Sequence, residues 1–447
     1  MSLVPIRFGA LFALALACPT PAHAAYRPQA PLPTQEEPAR IARLLARLSD
    51  EAPASPESVA TQLAHLGSAS LPYMLGTLAE GRWSRPRAEG TAQVVQLAEP
   101  ERTVLEEAVR RLGRTPAEAF ARSVLVEDCP VAQRSAALAG LALVGSGRDL
   151  ELALEIARRE GPESPFGARL LDALAESVAA IGRRDPAAVR AVPVLVRACT
   201  QPEAGALIRG CAASGRSEAF FELGSLARSD GPWIPMLLPE LIVAARGAPR
   251  PVDPTLLADV RRHLESQDAV VARAAALALG GLGDFTSAPA LIELLDSTSN
   301  LLEDAAAESL RTLTGLALGA QRRDWDSWLE TEQRWYEGEA PQLLEDLKHA
   351  ELGRRTAALG ALAGHRYRRE ELARSVEGAL EDTAPEVRRM ACNALTGFGC
   401  ASSARALVEC LEDPDAAVAR AAWGSLKHVT GLKLAPNRAL WIAALDS

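Results

Sequence analysis

The sequence lacks nearly every pattern that carries enzyme chemistry. It contains no HExxH pair, no GxSxG elbow, no phosphate-cradling GxxxxGK[ST] loop and no dinucleotide fingerprint opening after a strand. His65, His263, His349, His365 and His428 are scattered, with no partner at metal-ligand spacing. Gly280-Gly-Leu-Gly283 is glycine-rich but ends a helical pattern, so it reads as a turn. The chain is read as a non-enzyme, with no catalytic residue, cofactor or metal expected.

Other shortages narrow the class. Aromatic residues make up 4% of the chain and β-branched runs are few, while alanine and leucine are abundant, so no segment reads as a strand and the fold is expected to be all-α. Lys and Arg number 48 against 57 Asp and Glu, a net charge of −9, and the two signs are interspersed. That balance lacks the basic stripe expected of a nucleic-acid binder. Long apolar runs are also missing. The longest one away from the N-terminus, Trp233–Ala245, is broken by Pro235, Pro239 and Glu240 and reads as a buried helix, so no integral membrane span is expected.

The N-terminus reads as an export signal over residues 1–24. Arg7 supplies the positive charge, Phe8–Ala17 the short apolar run, and Ala22-His-Ala24 a small-x-small cleavage site before Ala25. The expected location is therefore extracytoplasmic, periplasmic or secreted. Cys18 follows Ala15-Leu-Ala, with alanine where a lipobox usually has leucine, which argues against lipid anchoring. Residues 25–38, carrying Pro28, Pro31, Pro33 and Pro38, read as an extended linker. Six cysteines follow the signal, in a compartment where disulfides form. Cys392 with Cys410 and Cys199 with Cys211 could bridge, or all could be small buried thiols; no CxxC spacing suggests zinc or redox chemistry.

What the sequence does contain is a duplication. Leu264–Leu329 aligns without a gap onto Leu380–Leu445 at an offset of about 116, with roughly 26 of 66 residues identical. Val271, Arg273, Ala275, Ala278 and Leu279 recur as Val387, Arg389, Ala391, Ala394 and Leu395, one apolar helix face. Gly281 and Gly283 recur as Gly397 and Gly399, where a helix stops at positive φ. Ser287 and Ser403 then read as N-caps of a second helix, Thr383-Ala-Pro-Glu386 as a capping box, and Asp413-Pro414 as cap plus proline. Within each copy Leu264 to Leu295 and Leu380 to Leu411 give a shorter period of about 31 residues. Each copy is helix, glycine turn, helix, and such a hairpin buries its apolar face only by stacking on a neighbour.

This pattern resembles the HEAT-like repeats of bacterial α-solenoids, the family that includes the phycobilisome-lyase-type repeats. The resemblance covers Leu264–Leu329 and Leu380–Leu432, and extends to Leu344–Leu380. It implies a right-handed α-solenoid whose second helices line the concave surface, and a non-catalytic scaffold that binds another protein. Alternative readings are a lyase-like or chaperone-like enzyme, since some relatives attach or remove bilins, and a purely structural envelope spacer.

The expected organisation follows. After the signal and linker come a diverged helical-repeat region (39–250), repeats with a tryptophan-containing extension (251–330), and repeats with a C-terminal tryptophan-containing cap (331–447). In the diverged region Gly81–Gly90 reads as a polar loop and Val94–Leu112 as one helix. Pro249–Pro254 reads as a seam, and Gly319–Pro341 as irregular. Trp325 and Trp441, at equivalent positions, are expected to fold back over the end of the helical stack. Arg273, Arg389 and Arg420 are expected to pair with turn carboxylates between repeats. Glu293 and Glu409, at equivalent exposed positions of the second helices, are the partner-binding candidates.

Overall fold

The computed structural model describes residues 36–48, 53–86, 92–126, 129–160, 164–247 and 252–445. The expected signal (1–24), most of the linker and Pro249–Pro251 of the seam lie outside them. Three helices come first: α1 (Glu36–Ala46), α2 (Pro56–His65) and α3 (Leu71–Glu80). A β-hairpin of β1 (Arg82–Pro86) and β2 (Ala92–Gln96) follows, then α4 (Glu99–Leu112), α5 (Arg114–Ser123), α6 (Val131–Val144), α7 (Leu150–Arg158) and α8 (Pro165–Arg184). Next come α9 (Pro186–Arg197), α10 (Gln201–Ala212), α11 (Ser217–Leu226), α12 (Ile234–Ala244), α13 (Pro254–Arg262), α14 (Ala269–Leu282), α15 (Ala288–Leu294) and α16 (Asn300–Thr314). The chain closes with α17 (Arg322–Gly338), α18 (Ala340–Asp346), α19 (Leu352–Leu362), α20 (Arg369–Glu377), α21 (Pro385–Phe398), α22 (Ala404–Glu409), α23 (Ala416–Thr430) and α24 (Arg438–Leu445).

These helices build an all-α solenoid in two layers. In one, α6, α8, α10, α12, α14 and α16 pack side by side, each on the next. In the other, α5, α7, α9, α11, α13 and α15 are held mainly by the facing layer, and only α9 and α11 touch extensively. On a curved double layer, helices are closest on the inside of the bend. The closely packed layer is therefore the concave one. The pattern resumes beyond α17, with α19, α21 and α23 in one layer and α20, α22 and α24 behind.

The duplication is visible in backbone detail. Gly283, Gly315, Gly399 and Gly431 have φ of 78°, 71°, 65° and 72°, so each copy ends its two long helices on a left-handed glycine. Gly280 serves a different need, because a Cβ there would lie 2.8 Å from Ser309 Cα of the next helix. Ser309 Oγ sits 2.9 Å from the Ala276 carbonyl, and its counterpart Ser425 Oγ 2.8 Å from that of Cys392. Ser177 makes the same contact with Leu138, at 3.0 Å. Serine thus staples three pairs of neighbouring helices in the closely packed layer, a feature absent from the sequence reading.

Several expectations are corrected. The segment read as a polar loop contributes β1, which pairs antiparallel with β2 in register Arg82↔Gln96 through Pro86↔Ala92. Only Trp83 of β1 is buried, so the strand shows no apolar alternation. The single helix expected over Val94–Leu112 begins only at Glu99, and α1 starts at Glu36, inside the expected linker. Gly319–Pro341 is chiefly the helix α17, organised around the fully buried Trp325. Ser287 and Ser403 have helical backbone and cap nothing; their hydroxyls bond Asp284 O (2.7 Å) and Glu377 Oε1 (2.6 Å). Thr383 forms no capping box, and before α23 the capping aspartate is Asp415.

The inter-repeat ladder also shifts by one residue. Arg388 forks onto Asp413 at 2.7 and 2.8 Å, and Arg355 Nη2 reaches Asp382 at 3.1 Å. Each aspartate also accepts an N–H at the start of the next repeat, from Ala384 and Asp415, both at 2.8 Å. Arg273, Arg389 and Arg420 make no ion pair among the described residues. A one-residue step turns the side chain about 100° around the helix, which is enough to miss the turn.

Candidate functional site

The concave layer carries an open groove of about 430 Å³ across α8, α10 and α12. Local sequence shapes it. Ser164 caps α8 through the Gly167 N–H (2.9 Å), and a Thr200–Glu203 capping box with Pro202 starts α10. Gly210 lets α10 approach α8 closely, since a Cβ would lie 2.4 Å from the Ala175 carbonyl. Gly205 leaves room for Met236, whose sulfur would be 2.8 Å from a Cβ there. Leu171, Pro202, Met236 and Pro239 supply apolar walls, and methionine adapts its shape to what it meets.

The groove's polar groups are unbalanced. Arg209 Nη2 meets Asp172 Oδ1 at 3.1 Å, an exposed pair worth little in itself. Glu240 is half-buried and makes no hydrogen bond or ion pair through its carboxylate among the described residues. Burial pushes its pKa up, and Arg209 only partly offsets this. Pro239, inside α12, lacks an N–H and so leaves the Pro235 carbonyl without its helical donor. The groove therefore offers one carboxylate, Glu240, in need of a partner.

A second cavity, about 500 Å³, lies among α1, α3, α5, α6 and β1, with Ile41, Tyr73, Trp83 and Phe120 on its walls. At its rim Glu80 and Arg82 pair with each other at 3.1 Å. This cavity mixes apolar and polar wall, its one charge pair is self-compensated, and the buried Trp83 Nε1 lacks a hydrogen-bond partner.

The residues singled out from sequence are not brought together. Glu293 on α15 and Glu409 on α22 are both exposed, but on the separated layer. The concave face is presented by the Val-x-Arg helices such as α14, because those are the helices that pack side by side. Glu409 is moreover engaged by Arg438, whose Nη2 lies 2.9 Å from each carboxylate oxygen. Trp325 and Trp441 are fully buried.

All six described cysteines are free. The Cys392 and Cys410 thiols share one core, and their interaction raises the Cys392 pKa and lowers that of Cys410, whose Sγ also lies 3.9 Å from the Ala406 carbonyl. Burial pushes Cys211 and Cys400 up to about 12 and Cys199 to about 11. Among the described residues no three His, Cys, Asp or Glu side chains cluster to hold a metal ion, and no helix is long and apolar enough to cross a membrane. The groove escaped the sequence reading because its parts are spread from Ala168 to Glu240 on three helices. The signals available were Pro239 and Glu240 inside an otherwise apolar helix.

Residues 340–427, from α18 into α23, match the family model of HEAT repeats. No curated protein matches the chain. Among solved structures, an engineered protein is similar at 16% identity, with 91% of each chain covered and a TM-score of 0.24. A chain of the Kap95p–RanGDP structure is similar at 14% identity over 88% of this chain and 50% of that one, with a TM-score of 0.33. Kap121p is similar at 13% identity over 90% of this chain and 46% of its own, with a TM-score of 0.37. The chain thus spans about half the length of the latter two, and at these TM-scores none carries a functional argument.

Proposed function

We propose that this protein is an exported, non-catalytic HEAT-like scaffold, akin to the bacterial repeats it resembles, that binds another protein along its concave layer. The observation that carries this reading is the groove across α8, α10 and α12, which joins apolar walls to the unpartnered Glu240. A spacer needs no such asymmetry between its two layers. A lyase-like enzyme needs an exposed, activated cysteine, whereas burial pushes Cys199, Cys211 and Cys400 away from the thiolate and Cys410, whose pKa is lowered beside Cys392, is buried. The acidic, interspersed charge suits a protein partner better than nucleic acid.

The binding test compares wild type with Ala168→Trp, which fills the groove from an exposed position. A partner isolated from the native envelope fraction is expected to bind wild type and be lost from the variant at unchanged melting temperature. Retention by both overturns the groove reading. Export is tested separately by intact mass of the extracytoplasmic protein, with Ala25 the expected first residue. A lipid on Cys18 would replace soluble export with anchoring, and a protein retained whole in the cytoplasm removes export altogether.

A further inference from the structure

We infer that the α8–α10–α12 groove takes a segment of its partner that presents a lysine or arginine between apolar side chains. This rests on the reading of the groove as a binding surface and adds the chemistry of what fills it. The argument is charge complementarity. Of the three ionisable side chains on the groove, Asp172 and Arg209 pair at 3.1 Å and Arg209 offsets Glu240 only in part, so the groove carries one carboxylate in excess. Its carboxylate is half-buried, so water solvates it incompletely, and an incoming cation gains more from it than from a carboxylate in open solvent.

A lysine ammonium or arginine guanidinium brings several N–H donors and no acceptor. An acidic segment would set a like charge against Glu240, and an amide would bring donors without the charge. Around this carboxylate the surface is Leu171, Pro202, Met236 and Pro239, so the flanking side chains of the partner are apolar. The cavity near Trp83 differs in kind, because Glu80 and Arg82 neutralise each other there and the buried indole N–H of Trp83 is a donor without a partner.

The probe is a display library of random twelve-residue segments, selected on the full chain and counter-selected on Ala168→Trp. Sequences that bind wild type but not the variant are expected to carry at least a threefold excess of Lys and Arg over the input, next to apolar residues. A synthetic copy of the most enriched segment is then expected to bind Glu240→Gln about tenfold more weakly than wild type. Glu240→Gln removes a poorly solvated charge, so it should melt at the same temperature or higher. Variant-sensitive sequences that are acidic or uncharged overturn the partner chemistry while leaving the groove as a binding surface. So does equal affinity for wild type and Glu240→Gln. If no sequence distinguishes wild type from Ala168→Trp, the groove reading itself falls.

Discussion

Trp325 and Trp441, 116 positions apart, make the same bond: each indole Nε1 donates to the carbonyl six residues earlier, Gly319 at 2.7 Å and Ala435 at 2.9 Å. Both side chains are fully buried, although only one of their helices, α17, continues well beyond its tryptophan. The indole thus closes the loop that leaves each duplicated unit and tucks the following helix onto the core. That is a structural task, and it accounts for the recurrence of the tryptophans in both copies.

Replacing either tryptophan with alanine removes the fill and the bond together. Each variant is expected to lose about 3–5 kcal/mol, the usual cost of emptying a large aromatic site. Urea unfolding monitored by circular dichroism measures it. A loss under about 1 kcal/mol for both would show that the two loops are closed by something else.

Leu279 and Leu395 test the repeat register. Both are fully buried at equivalent positions of α14 and α21. Leu279→Asp and Leu395→Asp each put an unpaired carboxylate in a helix seam, at several kcal/mol. Melting temperatures that stay at the wild-type value in both variants contradict the alignment of the two copies.

The Arg388–Asp413 pair predicts a pH dependence. Arg388 donates two hydrogen bonds to Asp413 and, with the Asp415 N–H, holds its pKa below the usual 3.8 despite the opposing effect of burial. A carboxylate with a depressed folded pKa adds stability above its unfolded pKa, and that stability is lost as pH falls through the folded value. Arg388→Ala should therefore melt below wild type at pH 7, and the gap should narrow as pH drops below about 4. A gap that is constant from pH 7 to pH 2 assigns the effect to lost packing of the arginine stem instead.

These predictions separate what the sequence carried from what it could not. The duplication fixed the positions of α14, α15, α21 and α22, because apolar steps and left-handed glycines at Gly283 and Gly399 are local signals. The β-hairpin was illegible because only Trp83 of β1 turns inward. The serine staples were illegible for a different reason. Ser309 is unremarkable in helix propensity, and its meaning depends on the Ala276 carbonyl of a neighbouring helix. Arg388 was confused with Arg389 because two adjacent arginines satisfy the same pattern while pointing to different places. The groove needed three helices in register before Glu240 could be seen to lack a partner.

Thiol reactivity gives a fourth test. Cys199 is half-buried with its pKa at about 11, whereas Cys211 and Cys400 are buried at about 12. Iodoacetamide on the native protein at pH 8 should label Cys199 slowly but ahead of Cys211 and Cys400, which should react only after unfolding. Peptide mapping over time reads the order. Rapid labelling of any buried cysteine would restore the case for an activated thiol.

Glu293 and Glu409 decide between the two layers. Reversing both to lysine leaves the apolar seams intact, so little stability is at stake at Glu293, which is exposed and makes no ion pair among the described residues. At Glu409 the change breaks the contact with Arg438 and sets two cations side by side. The side chains of that pair are 63% and 39% exposed, however, so the cost should be small. The double variant should therefore melt within a few degrees of wild type. Because both glutamates stand on the separated layer, a partner held in the α8–α10–α12 groove should bind the double variant as it binds wild type, at low and at high salt. Glu240→Gln should weaken the same partner, most strongly at low salt, where an unscreened charge counts most. If instead the double reversal abolishes binding in a salt-dependent way and Glu240→Gln does not, the partner lies on the outer layer. The sequence-level assignment of Glu293 and Glu409 would then stand in place of the groove.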